Sequence, residues 1–241
     1  MKYNNIREAM FLSRPNRFVA EVLIDGRKQK AHVRNTGRCR ELLTEGARVY
    51  LEEHGGTGGA RKTGYSLVAV EKPGDGTDTG SRLVNIDSNA PNRAVREALA
   101  GGTIILPGFP PPYIRIKPEM TWGASRFDFH VENAGGSIAL IEVKGVTLED
   151  GGIARFPDAP TERGVKHVRE LCSALDRGLA AYIIFVIQMR YITRFEPNDE
   201  THPAFGDALR EASRKGVVIL AYDCLVTPDG MRIAEPVDIK L

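Results

Sequence analysis

At 241 residues, with 42% hydrophobic and 27% charged side chains and a formal net charge of +2, the chain can fill one large or two small cores, and disordered classes are excluded. No stretch approaches the ~20 apolar residues of a membrane helix, and the opening "MKYNNIREAMFLSRPNR" lacks the apolar run of a secretory leader, so a cytoplasmic protein with no membrane partner is expected. Cys39, Cys172 and Cys224 are odd in number and widely spaced, which argues against a disulfide framework or zinc site and predicts small core hydrophobes.

In chain order, the first 70 residues read as strands. "RFVAEVLID" (17–25) alternates Phe18, Ala20, Val22 and Ile24 with Arg17, Val19, Glu21 and Leu23, and "DGRK" supplies a hairpin turn into "QKAHVRN". A short helical turn is expected around Arg38 to Leu43. "GARVYLEE" (46–53) and "GYSLVAVEK" (64–72) follow as strands separated by the Gly-rich "HGGTGGARKTG". Short strands, one small helix and one long loop suit a small β-barrel of the oligonucleotide/oligosaccharide-binding (OB) type. This front part is also basic. Residues 1–70 hold 13 Lys/Arg against 7 Asp/Glu, whereas 71–241 hold 20 against 24. "RKQKAHVRNTGRCR" (27–40) contains no acid, and such a field attracts polyanions. A solvated strand and loop face is the alternative. His32 is expected to be a core or hydrogen-bonding histidine.

"KPGDGTDTGSR" (72–82) reads as a boundary, giving an OB-like domain at 1–82 and a second domain at 83–241. "APNRAVREALAGG" (90–102) predicts a helix with Pro91 in its first turn. "YIRIKPE" (113–119), "SRFDFHVE" (125–132) and "SIALIEVKG" predict three strands. "TERGVKHVRELCSALDRG" predicts an amphipathic helix with Val165, Val168, Cys172 and Leu175 as its apolar stripe and Gly178 at its end. The strand "LAAYIIFVIQ" (179–188), a helix in "PAFGDALREASRKG" and the strand "VVILAYD" complete an α/β sheet, α+β for the chain as a whole.

Within "ALIEVKG" (139–145) a buried apolar run ends in an acid and a base. Glu142 and Lys144 share one strand face, and charges at the end of a buried strand need compensation. Asp128, between Phe127 and Phe129, projects from its own strand opposite the two rings. The turn at "NAGG" brings the two strands together, so both carboxylates and one ammonium reach a single point. Paired acidic oxygens suit Mg²⁺, and a cation there activates water against a phosphodiester. Glu119, near the end of the preceding strand, is a candidate third ligand. The plainer alternatives are a Glu142–Lys144 ion pair and an Asp128–Arg126 pair. Downstream, Asp158 or Thr161 is the expected cap of the helix in "FPDAPTERGVKH" (156–167). Arg163, Lys166 and His167 near that N-terminus make an anion site, the alternative being a Glu162–Lys166 surface pair and a packed His167.

The stretches "RPNRFVAEV", "AHVRNTGRCRELL", "PNRAVREAL", "SRFDF", "IEVKGVTL", "FPDAPTERGVKHVREL" and "RFEPNDETHPAF" together resemble the sugar fermentation stimulation protein family over nearly the whole chain. The resemblance implies a bacterial or archaeal cytoplasmic DNA-binding protein linked to the regulation of sugar, particularly maltose, utilisation. It also implies an N-terminal barrel and a restriction-endonuclease-like C-terminal mixed sheet flanked by helices, similar to the PD-(D/E)xK nucleases. Carried over by position, Asp128 is that motif's acid, Glu142 its second metal ligand, Lys144 its lysine and Glu119 the upstream acid. Phe127 stands where the motif's name has proline, a position that varies among such nucleases.

DNA is therefore the expected partner and Mg²⁺ or Mn²⁺ the expected cofactor, with Arg14, Arg17, Arg34, Arg38, Arg61 and Lys62 on phosphates beside Arg163, Lys166 and His167. Two function classes follow: a metal-dependent DNA phosphodiesterase, and a DNA-binding regulator without turnover. No helix-turn-helix signature predicts sequence-specific readout. The oligomeric state is left open, a homodimer included.

Overall fold

Ala20, Val22 and Ile24 are buried while Val19, Glu21 and Leu23 are half-buried, the period-two pattern of a strand with one face on a core. This alternation builds the first of two units, Met1–Ala90 with Gln188–Arg190 and Cys224–Arg232; the second comprises Pro91–Ile187, Tyr191–Asp223 and Ile233–Leu241. The computed structural model describes residues 1–35, 37–55, 63–73, 81–123 and 125–241.

The first unit holds β1 (Ile6–Asn16), β2 (Val19–Ile24), β3 (Arg27–Val33), β4 (Arg48–Glu53), β5 (Tyr65–Lys72) and β6 (Arg82–Asn85). β1 pairs with β2 and β4, β2 with β3, and β4 with β5, all antiparallel. Parallel pairing of β3 with β5, through Ala31–Tyr65, His32–Ser66 and Val33–Leu67, closes a five-stranded barrel of OB type, and β6 extends it from β5. Phe11, Val22, Val33, Leu51 and Leu67 fill its interior, each worth about 1.5–3 kcal/mol of transfer free energy. The expected helix at 38–43 is a single turn, with Leu42 N and Leu43 N both donating to Cys39 O. Sequence reasoning missed β1. Its burial is irregular, its pairing with β2 shifts register twice, and only Ala9 and Phe11 are buried, so no clean alternation marks it.

Along the rest of the chain follow α1 (Ala90–Ala100), β7 (Tyr113–Trp122), β8 (Ser125–Asn133), β9 (Ile138–Val146), β10 (Glu149–Asp150), β11 (Ile153–Phe156), α2 (Glu162–Leu175), β12 (Ala180–Ile187), β13 (Arg194–Pro197), α3 (Pro203–Lys215), β14 (Val218–Thr227), β15 (Gly230–Pro236) and β16 (Asp238–Ile239). A six-stranded mixed sheet runs β15-β14-β12-β9-β8-β7, with β12 parallel to β9 and β14 and the β7–β8–β9 arm antiparallel. Ala181 through Ile187 are all buried, as a central strand covered on both faces requires. Helix α2 packs against α3 and β12. Its buried stripe runs through Gly164, Val165, His167, Val168, Leu171 and Ala174, so Cys172 and Leu175 lie at the margin rather than inside it. Thr161 is the N-cap, its hydroxyl accepting from Gly164 N at 3.0 Å. A small β10-β11-β13-β16 sheet was not anticipated, because two- to four-residue strands carry too little periodicity to read. No helix of the described residues is long and apolar enough to cross a membrane.

Candidate functional site

Antiparallel pairing of β8 with β9 runs from Glu132–Ile138 to Phe129–Ile141. One step further Asp128 faces Glu142, and there a side chain continues the ladder: Asp128 Oδ2 accepts from Val143 N at 2.8 Å. Phe127 and Phe129 point into the core, which turns Asp128 to the other face. Its second oxygen, Oδ1, accepts from Asn92 Nδ2 at 2.7 Å, a residue in the first turn of α1. Asn92 was not foreseen as a site residue, because no spacing rule ties residue 92 to residue 128.

Glu142 is 3% exposed. Lys144 Nζ lies 2.5 Å and His167 Nδ1 2.6 Å from the same oxygen, Oε1, while Oε2 is buried and makes no hydrogen bond. Arg163 Nε donates to His167 Nε2 at 3.3 Å, which leaves the ring proton on Nδ1, facing Glu142. The Phe127 ring meets the imidazole edge-on at 5.9 Å. The ion pair offered by the plainer reading of "EVK" is thus present, and a histidine from α2 joins it.

Burial, and then the Glu142 charge, push the Asp128 carboxyl above its usual range; the Val143 and Asn92 hydrogen bonds and Lys144 oppose them. Burial pushes Glu142 upward too, but the His167 hydrogen bond and the charge and hydrogen bond of Lys144 outweigh it and hold the carboxyl below its usual value. The pair is therefore asymmetric: Glu142 keeps its charge and Asp128 takes up a proton first.

The family model described as the sugar fermentation stimulation protein RE domain matches residues 89–230, and that of the SfsA N-terminal OB domain matches residues 12–86. The chain belongs to the sugar fermentation stimulation protein family. A sugar fermentation stimulation protein homolog of Desulfitobacterium hafniense is 52% identical over 245 residues, covering 100% of this chain and 99% of the relative. One of Clostridium beijerinckii is 48% identical over 241 residues and covers 100% of both. The solved structure of Pyrococcus furiosus SfsA in complex with Ca²⁺ is 28% identical, with a TM-score of 0.85 over 100% of this chain and 98% of that one.

In this member of the sugar fermentation stimulation family the donor set fits a hard divalent cation. Two carboxylates adjoin, one with a buried oxygen lacking a partner, and an unpaired buried acceptor costs about 1–3 kcal/mol. The site has two carboxylates rather than three. Glu119 lies at a positive φ of 58°, its side chain 66% exposed beside Arg126 at 3.5 Å, and no group of three or more His, Cys, Asp and Glu suited to a metal forms among the described residues. Arg126 therefore pairs with Glu119 and not with Asp128. Lys166 pairs with Glu170 at 3.7 Å, while Glu162 reaches His202 at 3.2 Å, so the Glu162–Lys166 pairing expected from spacing is replaced by these two.

Among the barrel cations, Arg14 is an internal clasp. Its two terminal nitrogens donate to the backbone oxygens of Arg17, Asn35, Gly37 and Arg38 at 2.7–2.9 Å. Arg34 is ion-paired with Glu52 at 3.5 Å and Asp87 at 3.3 Å. These contacts occupy both groups, which the sequence reading had put on phosphates. Arg17 and Arg38 are exposed; Arg61 and Lys62 lie outside the described residues.

Proposed function

We propose that this protein binds DNA through its barrel unit and hydrolyses phosphodiester bonds at the Asp128–Glu142–Lys144 site with Mg²⁺ or Mn²⁺. The observation that carries the reading is the buried, unpartnered Glu142 Oε2 beside an Asp128 that burial, and then its neighbour's charge, makes easy to protonate. That arrangement is unfavourable without a cation and suited to one. The Ca²⁺ in the Pyrococcus furiosus relative, another hard cation that prefers oxygen, supports it.

Asp128 and Glu142 would hold the metal, which supplies a Lewis acid for the phosphoryl group and an activated water. The remaining roles belong to the chain. Asn92 and Val143 N–H fix the Asp128 carboxylate, while Lys144 and His167 saturate Glu142 Oε1 so that Oε2 is left to bind. Lys144, 16% exposed, holds an ammonium where charge develops on phosphoryl oxygens. Arg163, exposed in the first turn of α2, is placed to attract a phosphate of the strand.

Incubation of labelled DNA with purified protein and Mg²⁺ or Mn²⁺ tests the reading. Cleavage that disappears in both Asp128→Ala and Glu142→Ala is the expected result. The commitment of Lys144 to Glu142 favours a second reading, DNA binding without turnover in the regulation of sugar metabolism; binding without cleavage under every metal condition would support it.

A further inference from the structure

Arg17 and Phe18 form the two-residue tip of the β1–β2 hairpin: Asn16 pairs with Val19, and Asn16 Oδ1 accepts from Phe18 N at 2.9 Å. Such tips favour Gly, Asn and Asp. This one instead carries a phenyl ring that is 46% exposed, with the Arg17 guanidinium 4.7 Å from its centroid. A ring placed there adds little to the barrel core.

Phe18 joins His32, His54, Thr63 and Ser66 around a cavity of about 600 Å³, within the range of roughly 300–1,000 Å³ common for small-ligand sites. The lining combines an apolar wall, Phe18 and Val19, with polar groups, His54 Nε2 and Ser66 Oγ lying 2.8 Å apart. Arg34 also reaches the cavity, but Glu52 and Asp87 already match its charge. A ring wall and hydrogen-bonding groups without surplus positive charge suit an uncharged planar heterocycle and disfavour a phosphate. Arg17, the next residue in the chain, lines a second cavity of about 260 Å³ with Arg38 and Arg40, both exposed. The first cavity fits a base and the second fits the backbone beside it.

We propose that the barrel takes an unpaired nucleotide of a nucleic-acid strand, the base stacking on Phe18 in the larger cavity and the flanking phosphates lying on Arg17, Arg38 and Arg40. This rests on the DNA-binding reading above and narrows it. A base inside an uninterrupted duplex is stacked and paired and cannot enter a cavity, so the ligand is a single strand or a duplex with an extruded nucleotide.

The test is fluorescence anisotropy of the full chain with a labelled single strand, the same sequence as blunt duplex, and that duplex with one unpaired nucleotide. The single strand and the interrupted duplex should bind more tightly than the blunt duplex. Phe18→Ala should weaken those two roughly ten- to hundredfold and leave the blunt duplex unchanged, with Phe18→Trp restoring the loss. Arg38→Ala/Arg40→Ala should weaken all three and flatten the salt slope by about 1–2. Unchanged single-strand affinity in Phe18→Ala, with the arginine variant still weakened, would overturn the base cavity and leave DNA binding intact. A nucleoside monophosphate competing as well as the strand, nucleotide for nucleotide, would overturn the strand as the source. No binding of any DNA at low salt would overturn the cavity assignment and the reading beneath it together.

Discussion

His167 Nδ1 lies 2.6 Å from Glu142 Oε1, with Arg163 Nε on the far side of the same ring at 3.3 Å. A buried carboxylate is thereby tied through one imidazole to a guanidinium at the helix surface. Removing the imidazole leaves Glu142 with one donor fewer in a buried position, and hydrogen bonds to charged groups contribute about 1.5–3 kcal/mol. His167→Ala is expected to lose about 2 kcal/mol or more in urea denaturation, with Arg163→Ala losing under about 1 kcal/mol because that residue is exposed. Equal losses in the two variants would mean that the guanidinium, not the imidazole, holds the carboxylate.

The two carboxylates give opposite pH signatures. Glu142 is held below its usual value, so its contribution to stability is complete above the ordinary carboxyl pKa of 4.5 and is lost as pH falls through the lower folded value. Asp128 is raised, so its contribution is complete below the ordinary 3.8 and is lost as pH rises through the higher folded value. In chelator, the melting temperature of Asp128→Asn relative to the wild type should therefore rise with pH, and Glu142→Gln should melt below the wild type at neutral pH. The Glu142→Gln deficit should shrink as pH falls below 4.5. Thermal melts across a pH series read both signs; an Asp128→Asn difference from wild type that does not rise with pH in chelator would contradict the asymmetry.

Metal affinity is a separate readout. Calorimetric titration with Mn²⁺ or Ca²⁺ should show binding in the wild type and none in Asp128→Ala or Glu142→Ala. Asn92→Ala, which frees Asp128 Oδ1, should bind about ten- to hundredfold more weakly, the usual effect of losing a group that orients a ligand. Glu119→Ala should bind like the wild type, since its carboxylate is exposed and engaged by Arg126. A loss in Glu119→Ala comparable with that in Glu142→Ala would restore a third ligand.

How far the sequence discloses this arrangement depends on the length scale of each feature. Asp128, Glu142 and Lys144 are legible because a period-two strand fixes which side chains share a face, and a short turn fixes which strands adjoin. The Arg163–His167 spacing likewise predicts a shared helix face, though not that the face would meet Glu142. Asn92 is illegible: its contact with Asp128 depends on where a helix 36 residues upstream docks. The barrel cations mislead for a related reason. A run of arginines reads as a field, but whether a guanidinium faces solvent or clasps four carbonyls, as Arg14 does, is decided by tertiary structure.

Those cations divide into two groups by experiment. Arg14→Ala removes donors from several backbone oxygens, and Arg34→Ala leaves Asp87, whose side chain is 1% exposed, short of its ion pair. Each should cost about 2 kcal/mol or more. Arg17→Ala and Arg38→Ala, at exposed positions, should stay within about 0.5 kcal/mol of wild type. If Arg14→Ala melts like the wild type, its clasp contributes nothing.

The cap of α2 yields a prediction opposite to intuition. Replacing a helical glycine by alanine ordinarily stabilises by about 0.5–1 kcal/mol. At Gly164, however, an added Cβ would sit 2.8 Å from Thr161 Cγ2, 2.9 Å from Thr161 Oγ1 and 3.3 Å from Phe205 Cδ2. The threonine can yield only by surrendering its hydrogen bond to residue 164, and an N-cap is worth about 1 kcal/mol. The Phe205 ring, packed edge-on to Phe156 at 5.1 Å, limits escape on that side. Gly164→Ala is therefore expected to destabilise by about 1–3 kcal/mol. Because His167 lies one turn further along the same helix, metal affinity in the calorimeter should fall with it. A variant at least as stable as wild type would show that the cap can shift without cost.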